Sequence, residues 1–192
     1  QWNVADGALL REFRGHTDVV WTLAFSSDGH WLASAGADKN IILWDLQTGT
    51  RARTFAGHTL NIWGIAFSPD SRTIVSGSFD HSVKLWDVSG VAPVRTLVGH
   101  TQAVVAVAFS PDGALVASGG DDAAVRLWRV ATGEQVRVLS TAPRHTDAVA
   151  FSPDGKYLAS GGHDHSLVGD LVQNFFGESA AGGKKESMRL WR

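Results

Sequence analysis

The stretch GHTQAVVAVAFSPDGALVASGGDDAAVRLW, running from Gly99 to Trp128, decides the fold, because near copies of it recur along the chain. Phe25, Phe67, Phe109 and Phe151 stand 42 residues apart inside AFSSDG, AFSPDS, AFSPDG and AFSPDG. Gly15-His16, Gly57-His58 and Gly99-His100 keep the same period, and Trp2, Trp44, Trp86 and Trp128 close successive units. A period held in many columns at once marks a chain made of stacked copies of one supersecondary unit. The copies cover about residues 3–44, 45–86, 87–128 and 129–192.

Each copy reads locally as strands joined by turns. Val19 to Phe25 is apolar and β-branched, and Ser110-Pro111-Asp112-Gly113 supplies Pro and Gly where a tight turn needs them, which is a hairpin signal. Ser26 is expected in an exposed part of such a turn. Leu32-Ala33-Ser34 and Ile41-Ile42-Leu43-Trp44 supply two more strands, and Arg53-Thr54-Phe55 after Thr48-Gly49 supplies a polar-edged fourth.

A period of this length, with Gly-His near the start and Trp-Asp near the end, resembles the WD-repeat (WD40-type) β-propeller family. The resemblance covers essentially the whole chain except residues 167–187. It implies an all-β fold of four-stranded antiparallel blades, with strands a, b and c followed by d at the rim. It also implies a structural tetrad in each unit: His16, Ser34, Asp38 and Trp44; then His58, Ser76, Asp80 and Trp86; then His100, Ser118, Asp122 and Trp128. A buried imidazole and a buried indole N–H each need a partner, and a chain of hydrogen bonds from Asp through His and Ser to Trp serves them together. His, Ser and Asp side by side invite a hydrolase reading, yet an active site is built once and needs an oxyanion hole, whereas this set recurs with a Trp in each blade.

The fourth unit departs from the pattern. Thr141-Ala142 replaces Gly-His while Ser160 and Asp164 remain, and His145 lies three residues late, its role open. The closing Trp is Trp191 instead of residue 170, which leaves an insertion at 167–187. Within it Asp170 is placed to cap a short helix whose Leu171, Val172, Phe175 and Phe176 share one side, and Gly182-Gly183 is placed as a hinge. A lid, a docking helix and a passive loop are all open to this segment. Residues 8–13 are expected to form a strand d paired either with upstream sequence or, by ring closure, with Met188 to Trp191. The whole is expected to be part of a larger ring or a self-associating unit.

The same resemblance implies a binding face at the channel mouth, lined three and five residues after each Gly-His histidine and just before each tetrad Asp. The positions are Val19, Trp21 and Ala37; Asn61, Trp63 and Phe79; Ala103, Val105 and Asp121; and His145, Asp147 and His163. Of these, Trp21, Asn61, Trp63, Phe79, Val105, Asp121, Asp147 and His163 form the candidate site. Large aromatics dominate binding hot spots, although Trp21, Trp63 and Phe79 would equally fill space between blades. Asp121 or Asp147 would meet a Lys or Arg of a partner peptide. His145, Asp147, His163 and His165 match no zinc spacing, so a metal-dependent site in the fourth repeat ranks below binding and no metal or other cofactor is expected.

Composition narrows the function further. The net charge of −2, with acids and bases interspersed, offers no basic stripe for nucleic acid. No cysteine is present, which removes thiol catalysis and Cys-ligated zinc. The longest apolar runs, such as Ala103 to Phe109, fall far short of the roughly 20 residues of a membrane helix. No signal peptide is legible from Gln1 onward, and a cytoplasmic location is expected. The resulting expectation is a non-catalytic scaffold that binds a protein or peptide, with a structural or engineered self-assembling propeller unit as the alternative.

Overall fold

Each repeat commits its apolar runs to one antiparallel sheet. The computed structural model describes residues 1–140, 145–163 and 187–191. The first sheet holds β1 (Val20–Phe25), β2 (Trp31–Gly36), β3 (Asn40–Asp45) and β4 (Arg51–Ala56), hydrogen-bonded in chain order. The second holds β5 (Ile62–Phe67), β6 (Thr73–Ser78), β7 (Ser82–Asp87) and β8 (Pro93–Val98). The third holds β9 (Val104–Phe109), β10 (Leu115–Gly120), β11 (Ala124–Arg129) and β12 (Gln135–Ser140). The last comprises β13 (Ala148–Phe151), β14 (Leu158–Gly162) and β15 (Ser187–Trp191). Among the described residues the fourth blade has three strands. Ser187 already pairs with Gly162 at the start of β15.

The hairpin turn inside each blade is held by a serine. Ser26 Oγ donates to Asp28 Oδ1 at 2.5 Å and accepts the Trp31 N–H at 2.9 Å, and Ser68, Ser110 and Ser152 do the same in their repeats. This corrects the expectation that Ser26 is exposed. It is buried, because a hydroxyl that both donates and accepts closes the turn from inside.

Burial occurs between blades as much as within them. Ile65 and Phe67 of β5 lie against Ala33, Ala35, Ile41 and Leu43 of the first blade. Val104, Val107 and Phe109 lie in the same way against Val75, Val83 and Leu85, and Val149 and Phe151 against Ala117 and Val125. The strands nearest the axis thus pack in series, β1 to β5 to β9 to β13.

Residues 8–13 do not pair with Met188 to Trp191 within the chain. Leu9 instead forms an isolated antiparallel bridge to Trp2. Of the two partners left open for this segment the upstream one is found, while the first and last sheets stand at opposite ends of the packed series and Leu23, Phe25, Met188 and Leu190 are all exposed.

One contact sets how closely the second and third blades approach. A Cβ on Gly64 of β5 would stand 2.7 Å from the backbone oxygen of Val105 in β9, and a backbone atom cannot swing aside. Gly64→Val should therefore cost about 1–3 kcal/mol through overpacking, read as a lowered thermal midpoint. An unchanged melting curve would contradict this account of blade spacing.

Candidate functional site

The residues at one end of each blade are built on two repeated devices. The first is a hydrogen-bond chain. His16 Nδ1 lies 2.7 Å from Asp38 Oδ2, His16 Nε2 lies 2.7 Å from Ser34 Oγ, and Trp44 Nε1 donates to Ser34 Oγ at 2.8 Å. The second blade repeats these separations at 2.8, 2.7 and 2.8 Å through Asp80, His58, Ser76 and Trp86. The third gives 2.9, 2.7 and 2.8 Å through Asp122, His100, Ser118 and Trp128. One proton arrangement satisfies each set with a neutral imidazole: Trp N–H to Ser oxygen, Ser O–H to Nε2, and Nδ1–H to carboxylate. The Asp also accepts the backbone N–H of Thr17, Thr59 or Thr101, so it ties the incoming loop to strand c.

The glycine before each histidine has a local cause. A Cβ at Gly15 or Gly99 would stand 2.9 Å from the six-membered-ring edge of Trp44 or Trp128, so the indole lies flush against the loop.

In the fourth blade Trp191 Nε1 donates to Ser160 Oγ at 3.2 Å, and among the described residues no histidine continues that line. His145 turns to the preceding blade, where its Nδ1 lies 3.0 Å from Asp121 Oδ1. Its open role is thereby answered: three residues past the tetrad position, its ring sits beside the loop before Asp122, away from Ser160. Asp164, His165 and the inserted segment through residue 186 lie outside the described residues.

The second device is a backbone bond that joins the candidate loops. Ala37 N–H donates to Val19 O, Phe79 N–H to Asn61 O and Asp121 N–H to Ala103 O, each at 2.9 Å. In each of these blades the residue before the tetrad Asp is thus held beside the residue three after the histidine. Strand β-bulges at Val20/Thr22, Ile62/Gly64 and Gly119/Gly120 let the chain turn there.

Two side-chain groups result. Trp21 meets Trp63 edge to face, with ring centroids 3.9 Å apart, and Trp63 stacks on Phe79 at 5.7 Å. Phe79 and Trp21 keep 40% and 38% of their surface exposed, while Trp63 is half-buried between them. Its indole Nε1 is buried with no hydrogen-bond partner, which leaves a donor unused inside an apolar cluster. Asn61 and Val105 flank this group, both partly buried. In the third and fourth blades His145 and His163 stack at 4.9 Å, and each holds a separate carboxylate, Asp121 at 3.0 Å and Asp147 at 2.5 Å. Asp121 and Asp147 are therefore already engaged by imidazoles rather than standing bare for a partner's cation. Among the described residues no group of three or more His, Asp or Glu converges as a metal site.

The opposite ends of the blades carry a feature that sequence reasoning missed. A groove of about 530 Å³ between the first and second blades is lined by Asp28, Asp70, Asp87, Arg72 and Trp31. The Ser-x-Asp turns were the signal for it, since Ser68 and the Arg72 N–H hold Asp70, and Asp28 is held likewise, both carboxyls lying below the ordinary range. No helix of the described residues is long and apolar enough to cross a membrane.

A family model described as "WD domain, G-beta repeat" matches residues 7–45, 49–87, 91–129 and 133–168. An intraflagellar transport protein 122 homolog of Danio rerio is 44% identical over 43 residues, which is 22% of this chain and 4% of that protein. Its Homo sapiens counterpart is 42% identical over 43 residues, with the same shares. A protein of Schizosaccharomyces pombe named as a probable cytosolic Fe-S cluster assembly factor is 54% identical over 39 residues, 20% of this chain and 6% of that protein. The matches thus span only a small part of the length of these curated relatives.

The hydrogen-bond chains carry two expectations. Asp80→Ala leaves His58 Nδ1–H without its acceptor in a buried loop and should cost about 1–3 kcal/mol in urea unfolding at neutral pH. A loss near zero would separate the tetrad from stability. Burial disfavours charge on Asp122, but hydrogen bonds from His100 and from the Thr101 N–H outweigh it and lower its pKa to about 2. A carboxyl depressed below its unfolded value of about 3.9 stabilises the fold fully above that value and loses its contribution as pH falls toward the folded one. The difference in unfolding free energy between the wild type and Asp122→Ala should therefore be largest at neutral pH and shrink between pH 4 and pH 2. A difference independent of pH would mean that the ionised carboxylate is not what stabilises the loop.

Proposed function

The chain belongs to the WD domain, G-beta repeat family, and from that premise we propose that it is a non-catalytic scaffold whose loop face around Trp21, Trp63 and Phe79 binds a protein or peptide. WD-repeat domains in general mediate protein–protein interaction. The observation that carries the choice of face is the aromatic run itself: three large rings in contact across two blades, two of them well exposed, around an indole N–H with no partner. An extended peptide would lay an apolar side chain on Phe79 and Trp21. A modest shift of either ring would let a peptide carbonyl accept from Trp63 Nε1, relieving a buried donor otherwise unpaired.

The histidine-carboxylate pairs on the same side of the third and fourth blades give the face a polar half. With Asp121 and Asp147 engaged by His145 and His163, that half suits hydrogen-bonding partners better than a lone cation. Tetrad residues have a structural role in this reading, because the same Asp, His and Ser recur in three blades and are spent on one another. Action in the cytoplasm accords with the description of one relative as cytosolic.

A random peptide library displayed on phage and selected against the whole chain supplies a ligand for the test. Trp63→Ala and Phe79→Ala should each weaken the selected peptide by about 2 kcal/mol or more in calorimetric titration, while leaving the urea midpoint nearly unchanged for Phe79→Ala. Affinity that survives both substitutions would move the site to the rim or to the opposite ends of the blades.

A further inference from the structure

Thr17 follows the first tetrad histidine in the run Arg14-Gly15-His16-Thr17-Asp18, and two neighbours set it apart from its counterparts. Three residues before it stands Arg14, where the second and third repeats have Ala56 and Val98. One residue after it stands Asp18, where they have Leu60 and Gln102. Thr17 and Arg14 are both exposed, and Glu12 to His16 form no helix or strand. The same interval after an arginine recurs at Thr54, Thr132 and Ser140. Thr54 and Ser140, however, lie in the hydrogen-bonded strands β4 and β12, and Thr132 lies in the tight turn between β11 and β12. Thr17 is thus the acceptor that an arginine precedes in an irregular, exposed stretch.

Two carboxylates stand beside this threonine. Its own backbone N–H donates to Asp38 Oδ2 at 3.2 Å, the oxygen that also holds His16 Nδ1 at 2.7 Å, and the Asp38 side chain is 5% exposed. Asp18 Oδ1 accepts the Val19 N–H at 2.7 Å. Val19 O accepts the Ala37 N–H in turn, and Trp21 stands two residues further on in β1. The loop that presents Trp21 is therefore latched by backbone bonds to two acids next to Thr17.

We propose that Thr17 is a phosphorylation site for a kinase that selects arginine three residues before its acceptor, and that the phosphate unlatches the Trp21 loop. Acids of such a kinase take the Arg14 guanidinium, a charge pattern that sets the choice of substrate. A bond forms between Thr17 Oγ1 and the γ-phosphorus of ATP as the bond from that phosphorus to the bridging oxygen breaks. ADP leaves, and the hydroxyl proton passes to the kinase's base. The product carries about −1.5 to −2 charges at neutral pH beside Asp38 and Asp18, and like charge so placed disrupts a loop. Arg14, already paired with Glu12, and Lys39 are exposed, so water and salt screen their attraction. Repulsion from the shielded Asp38 is screened much less. The effect on binding rests on the reading of the Trp21, Trp63 and Phe79 face, whereas the modification and the unlatching do not.

The test incubates the whole chain with ATP, Mg2+ and a recombinant kinase of that arginine preference. Mass spectrometry of the digested product should place a phosphate on Thr17, and Arg14→Ala should slow its addition about tenfold. The phosphorylated chain should melt roughly 2–4 °C lower, and the Val19 and Trp21 amides should exchange faster. In Asp38→Asn, which keeps the shape of the side chain without its charge, the same phosphate should move the midpoint much less. Asp18→Asn serves that purpose should Asp38→Asn fail to fold. Absence of phosphate on Thr17 overturns the proposal, and so does a phosphate that changes neither melting nor exchange, or one whose effect ignores the carboxylates. Affinity for the library-selected peptide should fall about tenfold on phosphorylation. An unchanged affinity in a chain whose Trp63→Ala variant no longer binds contradicts the unlatching. If Trp63→Ala also leaves affinity unchanged, the aromatic face is rejected, and melting and exchange alone decide on the phosphate.

Discussion

A four-stranded antiparallel sheet has two faces, and a sheet from this sequence is apolar on both. It therefore needs a neighbour on each side, and stacking one repeat on the next is how the chain supplies it. Ile65 is covered because Ile41 and Leu43 precede it by one blade, and Val104 because Val83 and Leu85 do. The close approach at Gly64 and the buried core strands follow from that face-to-face contact. So do the bare faces at the two ends of the series, which are the same surfaces without their neighbour.

The hydrogen-bond chains solve a second problem created by the first. Tight blade packing buries the loop that leads into the inner strand, along with its imidazole and the indole of strand c. Joining Asp, His, Ser and Trp in one line leaves none of them unpaired, and the Asp also fastens the loop's Thr N–H. A loop fixed in this way holds the next residues still, among them Trp21, Trp63 and Phe79. The candidate face is thus a by-product of rigidity: side chains not consumed by packing are presented from anchored loops.

The blades were legible in the sequence because a period of 42 residues forces equivalent residues into equivalent environments. Strand positions follow from the columns, while the tetrad partners and the placing of pre-Asp residues beside the inner loops follow from the resemblance to WD-repeat propellers that those columns carry. Other features depended on atoms that the columns do not encode. Ser26 looked like an ordinary turn residue, yet its hydroxyl closes the hairpin from inside and is buried. Phe79 and Trp63 could be placed on one face, but not that Trp63 would lose every hydrogen-bond partner between two rings. His145 could be placed in a loop, but its choice of Asp121 across the blade junction depends on side-chain reach between repeats. Residues 8–13 were expected as a strand with its partner left between two options, and only Leu9 pairs there, as an isolated bridge to Trp2.

The central claim is that protection comes from neighbours on both faces rather than from the strands alone. Amide hydrogen exchange on the whole chain tests that claim directly. The account predicts slowest exchange in β6, β7 and β10, whose sheets are covered on both sides, and much faster exchange in β14, which is paired on both edges as β6 is but belongs to a sheet with one bare face. Equal protection in β14 and β6 would contradict it, because hydrogen bonding within each sheet would then be sufficient and blade stacking would not be what holds the fold.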